Sequence, residues 1–121
     1  MSAGAEMFRR LACALPGAVE SAHMGHPDFR VHGRIFATLS GEARGCGVLK
    51  LTVEQQAAFV SELPDIFEPV QGGWGRNGMT YIALAHADEA TVRGALTTAY
   101  RNIESKQTAR KGKPAKKAPR S

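Results

Sequence analysis

Cysteine is scarce in this 121-residue chain: Cys13 and Cys46 are its two thiols, too few for a small disulfide-stapled scaffold. No apolar run approaches ~18 residues, so no membrane span is predicted. The start of the chain has no basic stretch leading into an apolar core, so it does not read as a secretory leader. Reduced thiols and a cytoplasmic location are therefore expected. Aromatic residues make up only 7% of the chain, with a single tryptophan, Trp74. Acidic residues are missing altogether from Ser105–Ser121. No segment repeats another, which excludes a solenoid or propeller.

What remains is the composition of one ordinary domain. Hydrophobic residues make up 43%, and the length is close to the common domain size. Charge is uneven. The whole chain is +5, but Ser105–Ser121 alone holds seven cations, so Met1–Glu104 carries −2. That last segment is rich in Lys, Pro, Ala and Gly and has no apolar periodicity. It is predicted to be a disordered basic tail after a domain at 1–104.

Phe8, Leu11, Ala12 and Leu15 fall on one helical face, and Pro16-Gly17 ends that helix. Phe29 and Val31 share a strand face opposite Arg30 and His32, and Gly33 supplies a tight turn. In the next strand Ile35, Ala37 and Leu39 alternate with Phe36, Thr38 and Ser40. Cys46–Leu51 returns after a glycine-rich loop. Thr52-x-x-Gln55 is a capping box opening a helix that stops before Pro64, with Val53, Ala57 and Val60 on its face. Phe67–Gln71 and Met79–Leu84 read as strands joined through Gly72–Gly78, where Asn77-Gly78 is the strongest hairpin signal. A last helix starts near Asp88 and carries Val92, Leu96, Ala99 and Ile103 on one side. The order is α-β-β-β-α-β-β-α. Short connections between strands imply an antiparallel sheet, and helices gathered on it give a two-layer α+β sandwich of about five strands. Phe8, Leu11, Ile35, Leu49, Val60, Ile82 and Leu96 are its expected core.

Several residues sit where a known family has them. These are Leu15-Pro16-Gly17, Glu20, Gly25 with Pro27 and Phe29, Gly33 with Ile35-Phe36-Ala37, and Leu49-Lys50. Phe67-Glu68-Pro69, Trp74-Gly75 and Ala99-Tyr100-Arg101-Asn102 continue the pattern. In these residues and their order, the stretch from Met7 to Glu104 resembles the MmcQ/YjbR family of small bacterial proteins. The resemblance implies the same α+β sandwich and a DNA-binding role in which two loops act as wings.

Residues that carry chemistry are few. His23, His26 and His32 stand close in sequence, and Cys46 is a further donor type, but H-x2-H-x5-H is not a zinc spacing. No metal and no cofactor are expected. Cys46 in a strand reads as a small buried hydrophobe, and Glu20 and Asp28 as solvated and turn residues. No nucleophile–base motif is present, so no enzymatic activity is expected. Gly41–Gly47 and Gly72–Gly78 lack the Lys-Ser/Thr end of a phosphate loop. Trp74 either caps the core with its large apolar area, which is the favoured reading, or offers a stacking platform.

The expected function is DNA binding, largely non-specific. Arginines on the two loops, Arg44 and Arg76, would position the domain on phosphates or a groove. The tail cations Lys106, Arg110, Lys111, Lys113, Lys116, Lys117 and Arg120 would neutralise phosphate. The alternative is a module that binds a protein or peptide along a sheet or helix face, which suits the mild acidity of Met1–Glu104.

Overall fold

The computed structural model describes residues 3–23, 25–41 and 44–111. Along the chain these form α1 (Ala3–Cys13), β1 (Val19–His23), β2 (His26–Val31), β3 (Arg34–Thr38) and β4 (Cys46–Lys50). Then come α2 (Val53–Glu62), β5 (Phe67–Pro69), α3 (Gly73–Arg76), β6 (Met79–Ala83) and α4 (Glu89–Lys111). The six strands pair antiparallel in the order β1-β2-β3-β4-β6-β5. The expected two-layer α+β sandwich is present, with six strands in place of about five. The additional strand is β1, an edge strand whose residues pair from Val19↔Arg30 to His23↔His26.

Helices α1 and α4 pack on one another and on one face of the sheet. Phe8 of α1 meets Phe29 of β2 edge to face at 6.0 Å. It can lie flat on β4 because residue 47 is glycine: a Cβ there would stand 2.5 Å from the Phe8 ring. Val92, Leu96, Ala99 and Ile103 form the buried face of α4 as expected. The Asp88 carboxylate caps α4 by accepting the Thr91 N–H at 2.8 Å, and hydrogen bonding by the Thr91 side chain, then by its backbone N–H, holds the Asp88 pKa below the usual value. Near the other end of the helix, the Tyr100 hydroxyl donates to the Pro16 carbonyl. His32 Nε2 lies 2.7 Å from Glu104. Burial and Glu104 push the Tyr100 phenol up.

Three expectations are corrected. Ile35 is half-buried on the sheet's other face, not in the core. The register between β2 and β3 moves from Phe29↔Ala37 to Arg30↔Ile35, so Phe36 is a bulge residue. A bulge puts one extra residue into a strand and breaks the period of two; Phe36 and Ala37 are consecutively buried, each 0% exposed. Helix α2 does have its capping box, with Thr52 Oγ1 accepting from Gln55 N and Gln55 Oε1 from Thr52 N. Its buried residue, however, is Gln56, while Val53 is exposed and Val60 only half-buried against the core. Helix α4 runs through Lys111, past the expected domain boundary at Glu104. Gln107, Ala109, Arg110 and Lys111 are helix formers, and the first breakers, Gly112 and Pro114, come only after them. Residues 112–121 of the expected tail lie outside the described residues.

Candidate functional site

Strand alternation sends Phe29 and Val31 into the core, and therefore turns Asp28 and Arg30 to the opposite face of the sheet. No described helix packs over that face at β2 and β3, and a cleft of about 530 Å³ opens there. Asp28, Arg30, Ile35 and Thr38 line it from β2 and β3. The register places Asp28 opposite Thr38 and Arg30 opposite Ile35. Lys50 and Met79, partners across β4 and β6, line it from the neighbouring strands. Trp74 and Asn77 line it from the segment that links β5 to β6, and Arg34 from the start of β3.

Asp28 is 1% exposed, and it is not free. Arg30 donates to it through two nitrogens, Nε to Oδ1 at 2.9 Å and Nη2 to Oδ2 at 3.2 Å. This forked pair fixes the plane of the guanidinium. The hydrogen bond to Asp28, and then its charge, raise the Arg30 pKa. The Asp28 carboxylate is thus neutralised within its own strand, where a turn role was expected.

The Trp74 segment is built as a rigid turn and not as a projecting loop. Gly73–Arg76 makes one helical turn. Two of its glycines sit where side chains have no room: a Cβ at Gly75 would lie 1.6 Å from the Val70 carbonyl oxygen, and one at Gly78 2.0 Å from that of Leu51. The buried amide of Gln56 reaches this turn from α2. Its Nε2 donates to the carbonyls of Gly75 at 2.9 Å and Met79 at 3.0 Å, and lies 3.2 Å from Thr80 Oγ1. Thr80 Oγ1 donates in turn to the Gly78 carbonyl. The turn presents Trp74 with 65% of its surface exposed. The expectation that Trp74 caps the core is therefore wrong. The core behind it is closed by Gln56, Thr80 and Leu51.

Of the expected site residues, the two with described side chains, Arg44 and Arg76, do not converge. Arg44 is exposed at the end of the β3–β4 connection. Its guanidinium sits 4.5 Å above the Tyr81 ring and 3.9 Å from Glu68. Arg76 ends α3, near the opposite end of the β4–β6 pair, because Cys46 pairs with Ala83 while Lys50 pairs with Met79. Lys106, Arg110 and Lys111 fall on the last turns of α4, where side chains are outside the described residues. Lys113, Lys116, Lys117 and Arg120 lie outside the described residues altogether. What sequence reasoning missed is the combination of Arg30, Arg34 and Lys50 beside Trp74. The alternation of β2 already pointed to Arg30. Nothing in the sequence signalled that Trp74 faces out.

The cations with described side chains divide into two sets. Arg9, Arg10, Arg30, Arg44 and Arg93 each have a carboxylate partner. Among the described residues, Arg34, Lys50, Arg76 and Arg101 have none. Arg101 belongs to α4, behind the sheet, whereas Arg34 and Lys50 line the cleft. Both thiols are held less acidic than a free thiol. Burial pushes Cys13 up, helped by Glu20, and burial pushes Cys46 up against the opposing pull of Arg44. Among the described residues no three His, Cys, Asp or Glu side chains gather as a metal-ligand set. No described helix is long and apolar enough to cross a membrane.

Among solved structures, protein DR2400 of Deinococcus radiodurans, with the family-model domain DUF419, has the same fold. It aligns with a TM-score of 0.70 over 85% of this chain and 80% of its own, at 15% identity. No curated protein matches the sequence. The family model of YjbR matches residues 13–102. That span runs from the end of α1 to the Asn102 side chain, which bonds the Lys50 carbonyl and Gln55, and so takes in every strand and the cleft: the chain belongs to the YjbR family.

Proposed function

We propose that this domain is a cytoplasmic, non-enzymatic DNA-binding protein whose contact surface is the open face of the sheet beside Trp74. The observation that carries this reading is the sorting of its cations. A cation paired with a carboxylate has part of its charge offset, whereas Arg34, Lys50 and Arg76 have no carboxylate partner among the described residues, and Arg34 and Lys50 line the cleft. The cleft itself holds three cations, Arg30, Arg34 and Lys50, against one carboxylate, Asp28. The −2 balance of Met1–Glu104 does not oppose this, because Glu6, Glu54, Glu62, Asp65, Asp88 and Glu89 lie on the helices and their loops, not in the cleft. Arg44, already bound to Tyr81 and Glu68, contributes less than expected. The cations of Ser105–Ser121 add a sequence-independent attraction.

Fluorescence anisotropy of a labelled DNA, titrated at several salt concentrations, tests the reading. The logarithm of affinity should fall linearly with the logarithm of salt concentration, and the triple variant R34A/K50A/R76A should reduce that slope by about 2 to 3 units. An unchanged slope would move the interface elsewhere. A second groove, between α2 and α4, is lined by Phe59, Leu63, Phe67 and Ala95, with Leu63 40% exposed. It favours the protein-binding alternative, which becomes the better account if no DNA binds even at low salt.

A further inference from the structure

We infer that the cleft receives one unstacked nucleobase with its phosphate, so that the protein selects single-stranded over duplex nucleic acid. This rests on the nucleic-acid reading above and goes beyond it. Three features converge. The first is a flat aromatic surface held in place: Trp74 is 65% exposed, yet its turn is fastened by Gln56 through the Gly75 and Met79 carbonyls. An exposed indole on a rigid backbone is pre-organised for stacking and loses little freedom on binding. The second is charge. Lys50 and Arg34 carry no carboxylate partner among the described residues. Arg30 is held flat by Asp28 through Nε and Nη2, which leaves Nη1 to donate. The third is a base-reading group. Asn77 lines the same cleft, and among the described residues its side-chain amide has no partner, so both its donor and its acceptor are available to a base edge.

Duplex DNA cannot use this arrangement. Each base in a duplex is covered on both faces by its neighbours, so an indole reaches it only after it is unstacked. A duplex would touch Arg34 and Lys50 through phosphate alone. A single strand already has bases free to turn out, and these modules characteristically pair a basic groove with an aromatic platform. At about 530 Å³ the cleft has the size of a pocket for one small group, not of a groove for a helix.

Trp74 is the sole tryptophan, so intrinsic fluorescence reports on this position directly. The full chain is titrated with a short oligothymidylate, with the same strand annealed to oligoadenylate, and with thymidine monophosphate. The inference expects the single strand to bind more tightly than the duplex and to quench Trp74 emission. Trp74→Ala should then weaken single-strand binding about tenfold, as removal of one stacking aromatic does, and leave duplex binding unchanged, followed by anisotropy. Trp74→Phe should retain most of the single-strand affinity. Salt-dependent binding of both forms with no preference and no change in emission would overturn the base-stacking inference while leaving the nucleic-acid reading intact. Binding of the monophosphate as tightly as the strand would overturn the strand as occupant. Absence of binding by both strand and duplex at low salt would overturn the nucleic-acid reading as well.

Discussion

The side-chain amide of Gln56 donates to the main-chain carbonyl of Gly75 at 2.9 Å, joining helix α2 to the turn that carries Trp74. Gln56 is 8% exposed, and a buried amide without partners is costly. Here its NH2 group is satisfied by the Gly75 and Met79 carbonyls, which also accept the Gly78 and Val70 N–H groups. The bond to Gly75 sets the position of the exposed indole next door.

Gln56→Ala should lower stability by about 1–3 kcal/mol, the usual consequence of losing two or three buried hydrogen bonds at about 1 kcal/mol or less each. It should also loosen the turn, so that Trp74 emission shifts and its quenching by acrylamide changes before the global unfolding transition. Urea denaturation followed in parallel by fluorescence and far-ultraviolet circular dichroism separates the two effects. Coincident curves with unaltered native emission would mean that the turn is held without Gln56.

The bulge at Phe36 predicts unequal effects from two isoleucines. Ile82 is 0% exposed, and Ile82→Ala should cost ~2–5 kcal/mol as a core truncation. Ile35 lines the cleft, and Ile35→Ala should cost no more than about 1 kcal/mol, in the range of changes outside the core. Chemical denaturation of the two variants checks this. Similar large losses would place Ile35 in the core and remove the bulge.

The same bulge shows where the sequence was legible and where it was not. Most patterns set within one element survived, the face of α2 being the exception, with Gln56 buried and Val53 exposed. The stripe of Phe8, Leu11 and Ala12, the Thr52–Gln55 capping box and the Val92–Ile103 face of α4 depend only on helical spacing. Features set by pairing between distant elements did not. Ile35 and Phe36 look alike in a period of two until β2 fixes the register. Val19–His23 has no apolar alternation and becomes a strand only because β2 offers it an edge. Gly73–Arg76 has poor helix formers and is helical because Gly75 and Gly78 fit against Val70 and Leu51. At the candidate site, Arg44 and Arg76 were legible as exposed cations. That Glu68 and Tyr81 occupy Arg44, and that Arg34 and Lys50 stand beside Trp74, follows only from the sheet order.

Asp88 gives the chain a definable acid response. Its hydrogen bonds from Thr91 lower its pKa below 3.8 in the folded protein. A carboxylate whose folded pKa is depressed adds stability that is fully present above the unfolded value and lost as pH falls through the folded one. Thermal unfolding should therefore show a lower Tm for Asp88→Ala than for the wild type at neutral pH, with the gap closing below about pH 4. Asp88→Asn keeps an N-cap acceptor without a titrating charge, so its Tm should lie nearer the wild type and show less of this pH dependence. A gap between Asp88→Ala and the wild type that is constant with pH would assign the effect to something other than the carboxylate.

The basic C-terminal segment is best tested by cutting after Lys111, not after Glu104. Helix α4 extends to Lys111, and Ile103, at 4% exposure, is buried near its middle turns, so a cut at Glu104 would remove the helical turns that follow it. Ending the chain at Lys111 removes Lys113, Lys116, Lys117 and Arg120 and no acidic residue, which lowers the formal charge from +5 to +1. The fold should persist, with an unfolding midpoint close to that of the full chain. If these four cations each meet a phosphate, the salt slope for duplex DNA should lose about 3 to 4 units, and for a single strand somewhat less. Affinity for both should drop at low salt, while the preference for single strand over duplex should remain, because phosphate neutralisation by these cations attracts either polymer and only the Trp74 cleft distinguishes them. Anisotropy titrations of the two chain lengths against both DNA forms decide the matter. Loss of the preference with the segment would place selectivity in the tail and not in the sheet.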